Sequence, residues 1–241
     1  MALSVHIRKR LRAFCLQADF EAEEGTLALL GPSGCGKSMT LKCIAGIEQP
    51  DEGFISLSGR VLFDSSKKIS LPPQKRRVGY MFQNYALFPN MTVRKNVLAG
   101  MGKKPDPALA DPFLERFRIA DLADSYPHEL SEGQKQRTAM ARIVAQSPDV
   151  ILLDEPFSAL DTVLKWELGR EMNQVLTQMK KPAVFVTHNI DEVYQMSREV
   201  CSMKDGKTLE KISAQAFLEQ LRDGTAGLMP GWRILPPEGM R

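Results

Sequence analysis

The residues best suited to chemistry lie in two short runs. The first, Gly31-Pro32-Ser33-Gly34-Cys35-Gly36-Lys37-Ser38, has the spacing of a phosphate-binding loop. Its glycines let successive backbone N–H groups curl around an anion, the lysine ammonium reaches further phosphate oxygens, and the final hydroxyl suits Mg²⁺. The second run, Val150 to Glu155, reads VILLDE: an apolar segment closed by two acids. Asp154 suits a metal, and Glu155 beside it suits the polarisation of an attacking water. Alone, this acid pair is ordinary, because buried strands commonly end in an acidic cap. With the glycine loop upstream, the two runs read as halves of one site.

The elements around these runs are predicted to place them together. TLALL (26–30) is a buried strand that runs straight into the loop, and Leu41, Ile44 and Ala45 give Lys37 to Ala45 a helical spacing. LSVHI and AFCLQADF alternate apolar and polar residues as strands do, and FISLSGRVLFD and RRVGYMF return to that character. After Gln83 the chain passes through a proline turn into helical material, and KKPDPALADPFLERFRIADLADSYP reads as helices broken by prolines. Ser131 is a candidate N-cap for the helix SEGQKQRTAMARIVAQS, whose Ala139, Ile143 and Val144 form an apolar face. Then PDVILLDEP, WELGREMNQVLTQM, PAVFVTH and IDEVYQMS alternate strand and helix, and a further helix is expected around Ala214 to Leu221. Apolar strands alternating with helices imply an α/β fold with a mainly parallel sheet covered on both faces.

Composition bounds the function. The chain has 241 residues, enough for a large core, with 43% apolar and 25% charged residues, which is ordinary for a globular protein. A net charge of +3, evenly spread, argues against a nucleic-acid partner. The four cysteines form neither a CxxC pair nor a metal-ligand spacing, so they read as reduced thiols of a cytosolic protein. Cys15, Cys43 and Cys201 are expected to be buried, whereas Cys35, inside the glycine loop, is expected to be open to alkylation. The beginning MALSVHIRKRLRAF lacks the pattern of a secretory signal, and no run approaches the ~20 apolar residues of a membrane span.

Six blocks occur in an order and spacing that resemble the ATPase subunits of ABC transporters: GPSGCGKS, the glutamine of MFQNYALFP, LSEGQKQR, ILLDEP, SALD and VTH. The likeness covers about residues 1–210. It implies a P-loop NTPase core of RecA-like type, with an antiparallel β subdomain, a helical subdomain inserted at about 90–148, and a short tail over 211–241. It also implies ATP and Mg²⁺ as ligands, sandwiched between two copies of the chain arranged head to tail. By the same resemblance, residues Gly31, Pro32, Ser33, Gly34, Cys35, Gly36, Lys37, Ser38 and Met39 would surround the phosphates of the chain's own ATP. Ser38, Gln83 and Asp154 would hold the metal. Glu155 would be the general base, with Lys37, Gln83 and His188 as further catalytic groups. Ser131, Gly133 and Gln134 would reach the partner's ATP, and Asp161 would lie across the seam. Tyr85, Leu87, Phe88, Pro89 and Met91 would form the groove that receives a helix of an integral membrane permease, placing the chain on the cytoplasmic face of the membrane.

Three residues depart from the family pattern. Met39 stands where a hydroxyl residue is usual, Glu132 replaces the first glycine of LSGGQ, and the adenine-stacking aromatic has only Phe14 as a counterpart, which is expected to point into a sheet. The absence of fused membrane segments resembles an importer component, supplied by a solute-binding protein. SGRVLFDS, LPPQKRRVGY and VRKNVLAGM are most similar to molybdate/tungstate importers; sulfate, ferric-iron and polyamine importers share much of the pattern. About thirty-five residues follow Asp205, too few for the regulatory barrel many of these relatives carry, so a truncated regulatory form is expected.

Overall fold

The computed structural model describes residues 1–102, 105–158 and 160–223. In chain order the elements are β1 (Leu3–Arg10), β2 (Cys15–Ala22), β3 (Gly25–Leu30), α1 (Lys37–Ala45), β4 (Glu52–Leu57), β5 (Arg60–Asp64), β6 (Ile69–Ser70) and β7 (Val78–Met81). There follow α2 (Val93–Leu98), α3 (Asp111–Arg116), α4 (Glu132–Ala145), β8 (Val150–Asp154), α5 (Thr162–Met179), β9 (Pro182–Thr187) and α6 (Ile190–Met196). β10 (Glu199–Lys204), β11 (Lys207–Ser213) and α7 (Ala214–Arg222) complete the described chain.

These strands form one sheet in the order β6-β5-β4-β1-β2-β11-β10-β3-β9-β8-β7. Strands β10, β3, β9, β8 and β7 run parallel. The other half is antiparallel, from β6 through β2. The two halves join at β2 and β11, which share the pair Lys207↔Gln17, while β10 and β11 form an antiparallel ribbon.

The strand pattern explains why the parallel half is buried on both faces. Along β3, Ala28 and Leu30 enter one apolar cluster while Leu27 and Leu29 enter the other. Ile151 and Leu153 of β8 alternate with Val150 and Leu152, and Phe185 of β9 alternates with Val184 and Val186, in the same way. Successive side chains point to opposite faces of a strand, so uninterrupted apolar runs feed two cores. Residues of α2 to α7 fill the first core, and α1 with strands β1, β4 and β5 helps fill the second.

Between β7 and β8 lie α2, α3 and α4. The stretch around the prolines of this segment is less helical than its composition suggests. Within 105–129 the only α-helix described is Asp111–Arg116, flanked by 3-10 turns at Pro107–Ala110, Ala120–Leu122 and Pro127–Glu129. Pro107, Pro112 and Pro127 each stand in the first positions of their turn, where the missing N–H costs least and the fixed φ helps. At the other end, the expected start of the tail at residue 211 falls inside β11, and a helix forms at Ala214–Arg222 as expected. The remainder of the tail lies outside the described residues.

Candidate functional site

The glycine loop connects β3 to α1 at the C-terminal edge of the parallel strands. Gly34 (φ 81°) and Gly36 (φ 109°) adopt left-handed conformations, which glycine reaches without a Cβ penalty. At Gly31 a Cβ would come within 2.3 Å of the Met203 carbonyl oxygen, so only glycine fits there. Helix α1 begins at Lys37 with no side-chain cap and no acid in its first turn. Its N-terminal N–H groups and dipole are therefore free to meet an anion. The Lys37 ammonium is nearly buried, and it donates to the Gly31 and Pro32 carbonyls at 2.8 Å each. This folds its charge back over the loop. Met39 is half-buried against apolar neighbours and adds no hydroxyl to the loop.

Two corrections concern the floor of this loop. Cys35 is 7% exposed, packed with Leu16 and Met203, and burial pushes its thiol pKa up. It is thus a buried thiol rather than one open to solvent, and Cys15, expected to be buried, is the exposed one. Phe14 does not point into the sheet: it packs with the Leu16, Cys35 and Met203 cluster, its ring 3.4 Å from where a Cβ of Gly36 would stand and crowding that of Gly206. The tight β1–β2 connection turns it sideways onto the loop.

The acids come from the end of β8. Asp154, 6% exposed, accepts from the Ser38 hydroxyl at 2.6 Å through Oδ1 and from the Tyr80 hydroxyl at 2.9 Å through Oδ2. A hydroxyl and a carboxylate at this separation are oxygen donors suited to a hard cation such as Mg²⁺. The next residue, Glu155, is left-handed (φ 46°) and donates its N–H to Val186 O at 3.2 Å. This sparsely populated conformation is held by the neighbouring strand and turns Glu155 away from Asp154. Its Oε1 stands 3.7 Å from His188 Nδ1, and His188 follows the end of β9. Thr187 and Asn189 flank that histidine. The Thr187 hydroxyl donates to Glu192 at 2.6 Å and accepts from the Asn189 N–H at 2.9 Å, so His188 sits in a fixed loop. Burial pushes the Glu192 carboxyl up. Gln83, just after β7, is exposed and donates to the Ser158 hydroxyl at 3.3 Å. The loop, Asp154, Glu155, His188 and Gln83 thus gather on one edge of the sheet, outside the carboxyl ends of β3, β7, β8 and β9, where open α/β sheets place ligands.

Among the described residues no hydrogen bond joins Ser131, Gly133 and Gln134 to residues 31–39. Ser131 caps α4 reciprocally with Gln134, its N–H donating to Gln134 Oε1 at 2.8 Å and its hydroxyl accepting at 3.4 Å. A Cβ on Gly133 would lie 3.3 Å from Leu164 and Leu168, so Gly133 lets α4 approach α5. Glu132 is exposed and paired with Lys135 at 2.7 Å. These two residues line a cleft of about 770 Å³ that Gln83, Asp154 and Ser158 also line. Asp161 caps α5 by accepting from Leu164 N–H at 3.0 Å.

Sequence reasoning missed the side chains that hold the turn after Gln83. Tyr85 and Ala86 are both left-handed (φ 59° and 44°). Arg142 of α4 donates to their carbonyls at 2.8 and 2.7 Å and lies 5.4 Å from the Phe88 ring centroid. Asn96 of α2, fully buried, donates to the carbonyls of Phe88, Met91 and Thr92 and accepts from Phe88 N–H. Tyr85 is 3% exposed and packs in the core, so it is not available to an open groove, whereas Phe88 and Met91 are 46% and 36% exposed. Tyr80 and the capping arginine Arg76 carry no motif signature and were missed too. Arg76, 1% exposed, donates to Cys43 O and Ile44 O at 2.8 Å, closing the C-terminal end of α1.

A family model described as ABC transporter matches residues 16–158. The chain belongs to the ABC transporter family. Among similar ABC sequences, the Molybdenum import ATP-binding protein ModC of Paramagnetospirillum magneticum is 39% identical, over 95% of this chain and 62% of its own length. The Spermidine/putrescine import ATP-binding protein PotA of Nitratidesulfovibrio vulgaris is 44% identical, over 84% of this chain and 55% of its own length. The chain therefore spans between about half and two thirds of these curated relatives. The solved dimeric ATP-binding cassette MJ0796 in a post-hydrolysis state, bound to ADP and Pi, superposes with a TM-score of 0.73 at 25% identity, covering 89% of this chain and 99% of that one. The α/β fold is thus that of an ABC cassette, a P-loop NTPase.

Proposed function

We propose that this chain is the ATP-hydrolysing subunit of an importer, acting as a head-to-tail pair of copies on separate membrane permease subunits supplied by a solute-binding protein. The observation that carries this reading is the gathering of the glycine loop, Asp154, Glu155, His188 and Gln83 on one sheet edge. The motif turn Ser131–Gln134 makes no hydrogen bond to that loop among the described residues, and in this reading a second copy would bring its own Ser131 turn to the ATP. Similarity to a dimeric cassette supports the arrangement.

In this reading the N–H groups of the loop and of α1 hold the phosphates of ATP, and Lys37 turns from the Gly31 and Pro32 carbonyls to the β- and γ-oxygens. Mg²⁺, when bound, neutralises charge between those phosphates; Ser38 and Asp154 would hold it, with Gln83 beside them. Glu155 accepts the proton of a water whose oxygen attacks the γ-phosphorus, and the bond to ADP breaks. His188, oriented by its flanking clasp, supports the γ-phosphate. Across the seam, Ser131, Gly133 and Gln134 of one copy approach the other's ATP beside Asp161. The exposed Phe88 and Met91, on a turn held by Arg142 and Asn96, form a permease contact of aromatic and methionine type. Among the described residues no helix is long and apolar enough to cross a membrane; in this reading the permease contact would hold the chain at the membrane's cytoplasmic face.

For the solute we propose molybdate or tungstate, on the likeness to molybdenum import proteins, one of which matches over 95% of this chain. The test is co-isolation with the permease subunits followed by reconstitution. Turnover is expected to rise with molybdate-loaded binding protein and to stay at its basal rate with sulfate, ferric iron or spermidine. Stimulation by one of those three overturns the solute assignment, and a failure to co-isolate with any polytopic membrane subunit overturns the importer reading.

A further inference from the structure

Asp154 is held at both oxygens by two different hydroxyls. Ser38 donates to Oδ1 at 2.6 Å and Tyr80 donates to Oδ2 at 2.9 Å. Tyr80 reaches this position from the neighbouring strand, because β7 pairs with β8 in parallel and sets Tyr80 opposite Leu152, two residues before Asp154. Its ring is fixed by the second apolar cluster and by Phe82, whose centroid is 4.5 Å away. A planar carboxylate pinned at both oxygens has one orientation, and a nearly buried oxygen left without a donor would take another.

We propose that Tyr80 is a positioning residue for the metal half of the site: its hydroxyl occupies Asp154 Oδ2 and so turns Oδ1 toward Ser38, where the cation would sit. The role rests on the proposed function's placing of the cation at Ser38 and Asp154. Tyr80 touches neither nucleotide nor metal and acts only through Asp154. Groups that orient metal ligands in this way typically change metal affinity by 10- to 100-fold when removed.

The test is Tyr80→Phe, which deletes the hydroxyl and keeps the ring. Mn²⁺ binding is measured by its paramagnetic resonance signal in saturating ADP, and ADP binding is measured separately in EDTA. The variant is expected to bind Mn²⁺ about tenfold more weakly, with unchanged metal-free ADP affinity and an unchanged melting temperature in EDTA. In an Asp154→Asn background the same substitution is expected to change Mn²⁺ affinity less than twofold. Wild-type Mn²⁺ affinity in Tyr80→Phe, or an equal loss in the Asp154→Asn background, overturns the role of Tyr80 alone. Absence of ADP-dependent Mn²⁺ binding by the wild-type chain overturns the metal site as well.

Discussion

At the scale of single residues, the least family-like feature is the acid at Glu132. An acid is an awkward neighbour for a polyanion, yet the local geometry accommodates it. Glu132 opens α4, where the helix dipole favours a carboxylate by ~0.3–1 kcal/mol, and its charge is shared with Lys135 at 2.7 Å. The adjacent Ser131 and Gly133 are the residues assigned to the partner's phosphate. Glu132→Gly is therefore expected to retain or modestly raise ATP turnover while lowering stability by roughly 1 kcal/mol, from the lost dipole contact and the added glycine freedom. Steady-state turnover with urea unfolding checks both; a tenfold fall in turnover would give the acid a catalytic part. The motif residues were legible because each is a chemical type at a fixed spacing. Tyr80 was not, because nothing in RRVGYMF says that a tyrosine on one strand will meet the last aspartate of another. That meeting depends on the β7–β8 register.

At the scale of elements, the alternating strands, the loop-to-helix junction of β3 and α1, and the final helix were readable from periodicity and turn chemistry. The segment after Gln83 was readable only in part. Its apolar residues, Tyr85 to Met91, look alike in sequence, but two consecutive left-handed residues send Tyr85 into the core and leave Phe88 and Met91 outside. That turn is imposed from a distance by Arg142 and Asn96, on helices that follow it in the chain. Arg142, 8% exposed and held by two carbonyls, is expected to be hard to replace. Arg142→Ala leaves the Tyr85 and Ala86 carbonyls without their charged donor and should cost about 2–4 kcal/mol. Arg142→Lys should recover only part, since one ammonium lacks the guanidinium's fork. Urea unfolding of the two variants checks this; a loss under 1 kcal/mol in Arg142→Ala would show that the turn holds itself.

At the scale of the whole molecule, one sheet carries two unlike halves, and the parallel half brings the ends of β3, β7, β8 and β9 together. This gathering was implied by the alternation of strands and helices, whereas the joining of both halves through β2 and β11 was not, because a single-pair contact leaves no pattern in either strand. In the proposed pair, one chain supplies the phosphate loop and Glu155, a second supplies the Ser131 turn, and ATP closes the two together. The most direct measurement is the light-scattering mass of Glu155→Gln with and without Mg-ATP, taken together with its turnover. With turnover reduced about 100-fold or more, ATP should remain intact and hold two copies together, giving about twice the 26.9 kDa of one chain, and the pair should separate when ATP is replaced by ADP. Wild-type turnover in Glu155→Gln, or a single-chain mass in saturating Mg-ATP, would contradict this arrangement.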